Sequence, residues 1–235
     1  MMDTFPDSTR PDETEDPDEE VFINPDVTTL FRRWRNEKYA PEILPYDGPL
    51  IDNLCEITDF ANEKIQEDLE GDESQDPNEL DFVLRRIDLE RVKYMLRDYL
   101  RIRLWKVTQY PQQYLEPAHS ELLSSAERIF LRNYWDAKSE FLKFRLLGAM
   151  PVSKQKLDDK IDLLDMVRRP KLDSHVYVRV VKDVGRVEVP PTFTQESPTS
   201  AEPLDLGEGE TWLLRYSVVR RFLIDPELDG TLELV

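Results

Sequence analysis

Residues Glu79 to Tyr110 read ELDFVLRRIDLERVKYMLRDYLRIRLWKVTQY, thirty-two residues with neither Gly nor Pro. As a helix this stretch would run about 48 Å at 1.5 Å per residue. Val83, Ile87 and Tyr94, and the set Leu84, Met95, Leu96, Tyr99 and Ile102, recur at three- and four-residue spacings, the period of a helix rather than a strand. Leu80, Phe82, Leu89, Val92, Leu100, Leu104, Trp105 and Val107 spread apolar surface beyond one stripe. A helix apolar on more than one side has to be covered on more than one side. The stretch is therefore either the centre of a bundle or shared with another chain. It also carries Arg85, Arg86, Arg91, Lys93, Arg97, Arg101, Arg103 and Lys106 against five acids, the one basic concentration in a chain of net charge −18. Cations near a helix C-terminus offset the macrodipole, so one reading is a core helix with Arg stems along its flanks. The other is an interface where Arg and aromatic side chains meet a partner.

The remaining composition narrows the function. A chain of 235 residues can hold one large or two small cores. No run of eighteen apolar residues occurs, which predicts no membrane span. Cys55 is the only cysteine and the N-terminus is acidic without an apolar leader, pointing to a reducing compartment, cytoplasm or nucleus. Residues 3–20 hold nine Asp or Glu against Arg10 alone. So polar a segment cannot offset its ordering entropy, which predicts a disordered acidic tail over 1–22. The overall acidity argues against tight DNA binding, because that affinity comes from Lys and Arg displacing counterions.

Taken in order, Asn24-Pro25-Asp26 reads as a helix start, a capping residue followed by Pro at the first helical position. Val27, Leu30, Phe31 and Trp34 form that helix's apolar face, and it should end before Pro41. A second helix is expected over 48–69, an acidic loop over 70–79, then the central helix. After Pro111 and Pro117 a fourth helix is expected over 120–147, ended by Gly148 and Pro151. Residues 151–171 read as a connector with a short helical possibility at 158–167. Alternation over His175 to Val181 and Arg186 to Val189, and the Trp212 to Tyr216 run, predict strands. A Pro-rich loop is expected between them over 190–210, and Asp229-Gly230 should turn into a last strand at 231–235. The fold class is thus mainly α: a helical bundle of four to five helices over 23–150, a linker over 151–171, and a small β-rich domain over 172–235.

Chemistry is sparse. The seven glycines form no phosphate cradle, and two histidines with one cysteine give no zinc pattern. Asp158, Asp159 and Asp162 have a magnesium-like spacing, but Lys154, Lys156 and Lys160 interleave with them. No acid–base constellation stands out, so no cofactor, metal or catalysis is expected.

Three phrases carry a resemblance. Trp34, Asn36, Glu37, Lys38, Ala40, Pro41, Glu42 and Leu44 form W-x-N-E-K-x-A-P-E-x-L. Glu90, Arg91, Tyr94, Leu96, Tyr99, Leu100, Arg101, Arg103, Leu104 and Lys106 form a second phrase on the central helix. Leu172, Asp173, Ser174, Val176, Arg179 and Val180 form L-D-S-x-V-x-x-R-V, followed by Leu214-Arg215-Tyr216. Together they resemble the Sld-five subunit family of the eukaryotic GINS complex over about residues 24–235. The resemblance implies a nuclear, non-catalytic subunit of a heterotetramer with three Psf subunits. Through that complex it implies contact with the MCM hexamer and the RecJ-like component of the replicative helicase, the CMG assembly, and with DNA only indirectly. A replisome hub protein and the leading-strand polymerase are further partners of the family. The tail shows no clear hub-docking helix: Phe5 is isolated, and Val21-Phe22-Ile23 is the only candidate cluster.

On this reading the partner-interface candidates are Trp34, Tyr39, Arg97, Tyr99, Arg101, Arg103, Trp105, Leu172, Arg179 and Tyr216. Two other readings stay open. One is a stand-alone acidic adaptor that recruits partners through its tail; the other is an enzyme using the carboxylates from Asp158 to Asp165 with Mg²⁺.

Overall fold

A computed structural model of the chain describes residues 24–71, 80–161, 164–189 and 202–235. The acidic tail, residues 72–79 of the loop expected over 70–79 and the first part of the Pro-rich loop lie outside the described residues; residues 70–71 of that loop belong to the second helix. Helix α1 spans Pro25–Tyr39, α2 Gly48–Gly71 and α3 Leu80–Gln109. The start of α1 is the one the sequence implies: Asn24 caps it, its side-chain oxygen accepting from the Asp26 amide at 2.9 Å, with Pro25 in the first turn. Leu30, Ile51, Leu54, Leu96 and Tyr99 from these three helices bury one core, flanked by Val27, Trp34, Val92 and Met95.

The helix expected over 120–147 begins later, and shorter elements precede it. A short helix α4 covers Pro111–Leu115, a 3-10 turn Pro117–Leu122, and α5 only Ser125–Arg145. Both prolines sit in the first turn of the piece they open, where a missing N–H costs nothing. The true start of α5 is a capping box. Ser124 Oγ accepts from the Glu127 amide at 3.1 Å, and the Ser124 amide donates to Glu127 Oε2 at 2.8 Å. Ile43, Val107, Tyr114, Leu123 and Leu131 form a second core beneath α4 and α5.

Residues expected to be helical at 158–167 instead form two antiparallel strands, β1 Lys160–Ile161 and β2 Leu164–Asp165, pairing Lys160 with Asp165 and Ile161 with Leu164. A ten-residue helix without tertiary cover is marginal in water. Strand β3 (His175–Val180) is central to a three-stranded antiparallel sheet, between β6 (Thr211–Arg215) and β7 (Leu232–Leu234). Its alternation holds, with Val176, Val178 and Val180 buried and Tyr177 and Arg179 exposed. The last part of the expected 190–210 loop is strand β5 (Glu202–Leu206), paired with β4 (Gly185–Val189), because Leu204 and Leu206 alternate and Leu206 is fully buried.

Helix α6 (Tyr216–Ile224) follows β6 directly, where the sequence suggested only the end of a strand. Its run of Tyr, Val and Phe favours strands, and no side chain caps its start. Val218, Val219, Phe222 and Leu223, at helical spacing, are buried against the sheet, and that tertiary cover decides. This third core also takes in Ala40 and Leu44 from the α1–α2 connection. The β-rich part is therefore built onto the helical part rather than hung from it. Gly230, at φ +76°, forms the turn before β7; a Cβ there would run into the Arg32 guanidinium that pairs with Asp229.

Candidate subunit interface and its buried support

Arg103 stands at the meeting point of all these layers. It lies on the buried side of α3, in register with Leu96, Tyr99 and Val107, and is fully buried. Every one of its five N–H donors is used. Nε and Nη2 donate to the two Glu127 oxygens at 2.7 and 3.0 Å. Nη1 donates to Glu37 Oε2 at 3.1 Å and the Leu44 carbonyl at 2.7 Å, and Nη2 to the Leu122 carbonyl at 2.8 Å. The rings of Tyr46 and Tyr99 lie 5.1 and 5.6 Å from its guanidinium carbon. One turn on, Lys106 Nζ donates to Glu37 Oε1 at 2.9 Å, to the Glu42 carbonyl at 2.8 Å, and to the Glu37 carbonyl.

The two cations respond oppositely to the same burial. Desolvation disfavours both charges, and for Lys106 it wins, pulling the ammonium below its usual range while Glu37 resists. For Arg103 the hydrogen bonds it donates to Glu127 and the charge of Glu37 outweigh it, and the guanidinium is held above its ordinary value. The difference follows from the partners: Lys106 shares Glu37 with Arg103, whereas Arg103 has a second carboxylate, Glu127, as well.

A second polar knot joins the helical part to the β-rich part. Glu42 Oε1 accepts from Tyr216 Oη at 3.0 Å and from Arg220 Nε, and its Oε2 accepts from Arg220 Nη2 at 3.1 Å. Beside it, Asn36 Oδ1 accepts from the Leu234 amide at 2.9 Å, and Arg32 and Arg33 reach Asp229 at 2.9 and 3.2 Å.

These contacts correct part of the interface prediction. Arg103, Tyr99 and Tyr216 are buried within the chain, their polar or aromatic groups committed to intrachain partners, so none of them can anchor another subunit. Trp34 is half-buried, donating from Nε1 to Asp98 Oδ2 at 2.7 Å, and Leu172 packs on the β-rich core. Tyr39, Arg97, Arg101, Trp105 and Arg179 remain exposed. The sequence did not single out Glu37, Glu42, Glu127 and Arg220 as junction residues. The signal for Arg103 is its register: an Arg in step with Leu96, Tyr99 and Val107 implies a buried carboxylate.

Exposed large apolar side chains include two sets on the long helices. Phe60 on α2 and Leu80, Leu84, Ile87 and Tyr94 on α3 form one; Phe60 is 67% exposed and Leu80 72%. On α5, Ile129, Phe130, Phe141 and Phe144 form the other, with Phe144 82% exposed. Among the described residues no group of three or more His, Cys, Asp or Glu could hold a metal ion; Asp162 lies outside them. No helix is long and apolar enough to cross a membrane among the described residues.

The buried tyrosines make alkaline stability a direct check on the junction. Burial raises Tyr99, Tyr114 and Tyr216 above the usual value of 10.0, and the charge of Glu42 and its hydrogen bond add to the rise at Tyr216. Unfolded tyrosines lose their protons near that value while the folded ones keep theirs, so the folded state binds more protons as pH rises. Stability is full below about pH 10 and falls above it, by about 1.4 kcal/mol per pH unit for each tyrosine. Lys106, lowered in the fold, works the other way only below about 10.5. Urea midpoints taken from pH 8 to 11.5, with tyrosinate absorbance followed in parallel, measure this. A flat midpoint across that range would contradict the burial of all three phenols.

Comparison with known proteins agrees with this architecture. The family model for the GINS complex protein helical bundle domain matches residues 59–143, and that for the DNA replication complex GINS protein SLD5 C-terminus matches residues 170–235. The chain is 32% identical over 217 residues to the DNA replication complex GINS protein SLD5 of Arabidopsis thaliana, covering 90% of this chain and 93% of that protein. It is 31% identical over 209 residues to the protein of that name from Rattus norvegicus, covering 86% and 87%. To the one from Schizosaccharomyces pombe it is 29% identical over 204 residues, covering 86% and 89%. With helical bundle and β-rich C-terminus both matched in order and the relatives aligned over most of their length, the chain belongs to the SLD5 family of DNA replication complex GINS proteins.

Proposed function

We propose that this chain is a non-catalytic structural subunit of a heterotetrameric GINS complex, assembled with three Psf subunits in the nucleus. Through that complex it takes part in the CMG helicase with the MCM hexamer and the RecJ-like component, touching DNA only indirectly. The observation that carries this reading is the uncovered apolar surface of α2, α3 and α5 in a chain otherwise so acidic. Contiguous exposed apolar area of this kind belongs to a subunit interface. On α5, Phe130, Phe141 and Phe144 lie eleven and three residues apart and so share one side of the helix, next to the side that Glu127 and Leu131 hold against the rest of the chain. Arg97 and Arg101 extend the exposed side of α3 beyond Tyr94 and would ring its apolar contact with cations. The buried charges of Arg103 and Lys106 keep these two faces at a fixed angle; they are support, not catalysis.

Co-expression with and without the three Psf subunits, followed by mass determination of the eluted species, tests the reading. A one-to-one-to-one-to-one tetramer is expected. Phe141→Asp with Phe144→Asp should remove two interface side chains worth about 1.5–3 kcal/mol each, weakening incorporation on the order of 10²- to 10⁴-fold. The urea midpoint of the chain itself should hardly move, because both rings are mostly exposed. If the doubly charged variant assembles normally, α5 is not an interface. A wild-type chain that stays a folded monomer beside the Psf subunits would sink the subunit reading and favour the stand-alone adaptor.

A further inference from the structure

At the C-terminal ends of α1 and α3, Lys38, Ile102, Trp105, Arg168, Arg169 and Lys171 surround a cleft of about 540 Å³. Acids outnumber bases 49 to 31 in the chain, yet five Lys or Arg and no Asp or Glu line this cleft. Lys106, at its base, is taken up by Glu37. Arg169 has Glu116 and Asp165 only at 3.9 and 3.8 Å. Lys38, Arg168 and Lys171 are exposed and have no carboxylate within ion-pair reach among the described residues. Trp105, 62% exposed, presents its indole beside them. Cations and an open aromatic face in one concavity form a receptor for an anionic chain that also carries apolar groups.

We infer that this cleft binds the chain's own acidic N-terminal segment, with Asp12, Glu13, Glu15 and Asp16 over Lys38, Arg168 and Lys171. Length permits it. Helix α1 has 15 residues, about 22 Å, with Asn24 at one end and Lys38 at the other. An extended chain covers that distance in about seven residues at about 3.3 Å each. Counting back from Asn24, this reaches Pro17 and leaves Asp12 to Asp16 at the cleft. Upstream, Phe5 and Pro6 are the apolar pair for Trp105 and Ile102 to receive. Tethering supplies an effective concentration in the millimolar range for a short linker, so a weak individual contact is enough. A nucleic acid fits less well, because a polyanion would gain one small cationic cluster while facing a net charge of −18.

Zero-length carbodiimide cross-linking of the full chain in its purified assembly, read by mass spectrometry, tests this. Carboxylates of residues 12–20 should join Lys38 and Lys171 at least fivefold more often than the exposed Lys143 or Lys154, and this preference should vanish in about 0.5 M salt. Arg168→Glu, a surface change, should reduce the Lys38 and Lys171 cross-links severalfold and leave those at Lys154 unaltered. Cross-links spread evenly over surface lysines would overturn the assignment, as would indifference to Arg168→Glu. Mixed isotopes showing that the links join two copies would overturn it too. Stronger protection of Lys38 and Lys171 by a single-stranded oligonucleotide than by a peptide of residues 1–23 would assign the cleft to phosphates instead.

Discussion

Arg103→Met is expected to cost about 3–5 kcal/mol, the toll of breaking a buried charge cluster from one side. Methionine fills much the same volume, so the loss is electrostatic rather than a cavity. It would leave the Glu127 carboxylate with only the Ser124 amide, leave Glu37 with Lys106 and the Leu44 amide, and strip the Leu44 and Leu122 carbonyls of a donor. Against a typical domain stability of about 5–15 kcal/mol this is a large share. Arg103→Lys should recover only part of it. An ammonium has three donors without the planar fork, and Glu127 holds that fork with both oxygens. Glu127 is also the third residue of α5 and closes its capping box, so the same substitution loosens the start of α5. The urea midpoint of the Met variant measures the first effect, and its yield in complex with sister subunits the second. A stability loss under about 1 kcal/mol would mean that water or a relaxed side chain replaces the guanidinium, and that the cluster does not hold α3 to α5.

The sequence reveals which residues form helices and strands more clearly than how those elements are joined. Local signals sufficed for the start of α1, the length of α3 and the alternation of β3, because capping, absence of Gly and Pro, and period act over a few residues. Helix α6 was hidden by β-favouring residues that adopt a helix only because the sheet covers Val219 and Phe222. The phrase from Trp34 to Leu44 was legible as a family signature and as a helix end, but not as the joint of the molecule. Its partners are remote: Glu37 meets Arg103 66 positions away, Glu42 meets Tyr216 174 away, and Asn36 meets the Leu234 amide 198 away. No periodicity encodes such pairs. The opposite failure occurred on α3. Arg97, Arg101 and Arg103 look equivalent in composition, and only the helical register separates the two that face outward from the one that faces Glu37.

Glu42→Ala is expected to cost about 2–4 kcal/mol and to do so at one place, the joint between the helical and β-rich parts. The Glu42 side chain is 6% exposed and is the acceptor for both Tyr216 and Arg220. Removing it leaves a buried phenol with no partner, whereas the Arg220 guanidinium, partly exposed, can turn to water. Most of the loss should therefore come from Tyr216. A double-mutant cycle with Tyr216→Phe isolates that share, with an expected coupling of about 1–2 kcal/mol. The β-rich part should not come free altogether, because Arg32 and Arg33 still hold Asp229, and Asn36 still holds the Leu234 amide. Adding Asp229→Ala should free Arg32 and Arg33 from the β-rich part and leave the Asn36 contact and the Arg35–Glu233 pair, and urea unfolding should then separate into two transitions. If Glu42→Ala alone leaves the midpoint unchanged, the shared core through Ala40 and Leu44 holds the joint by itself. If the double variant still unfolds in one step, the two parts are a single cooperative unit. In that case the apolar faces of α2, α3 and α5 would be offered to partners by a body that includes the C-terminal sheet.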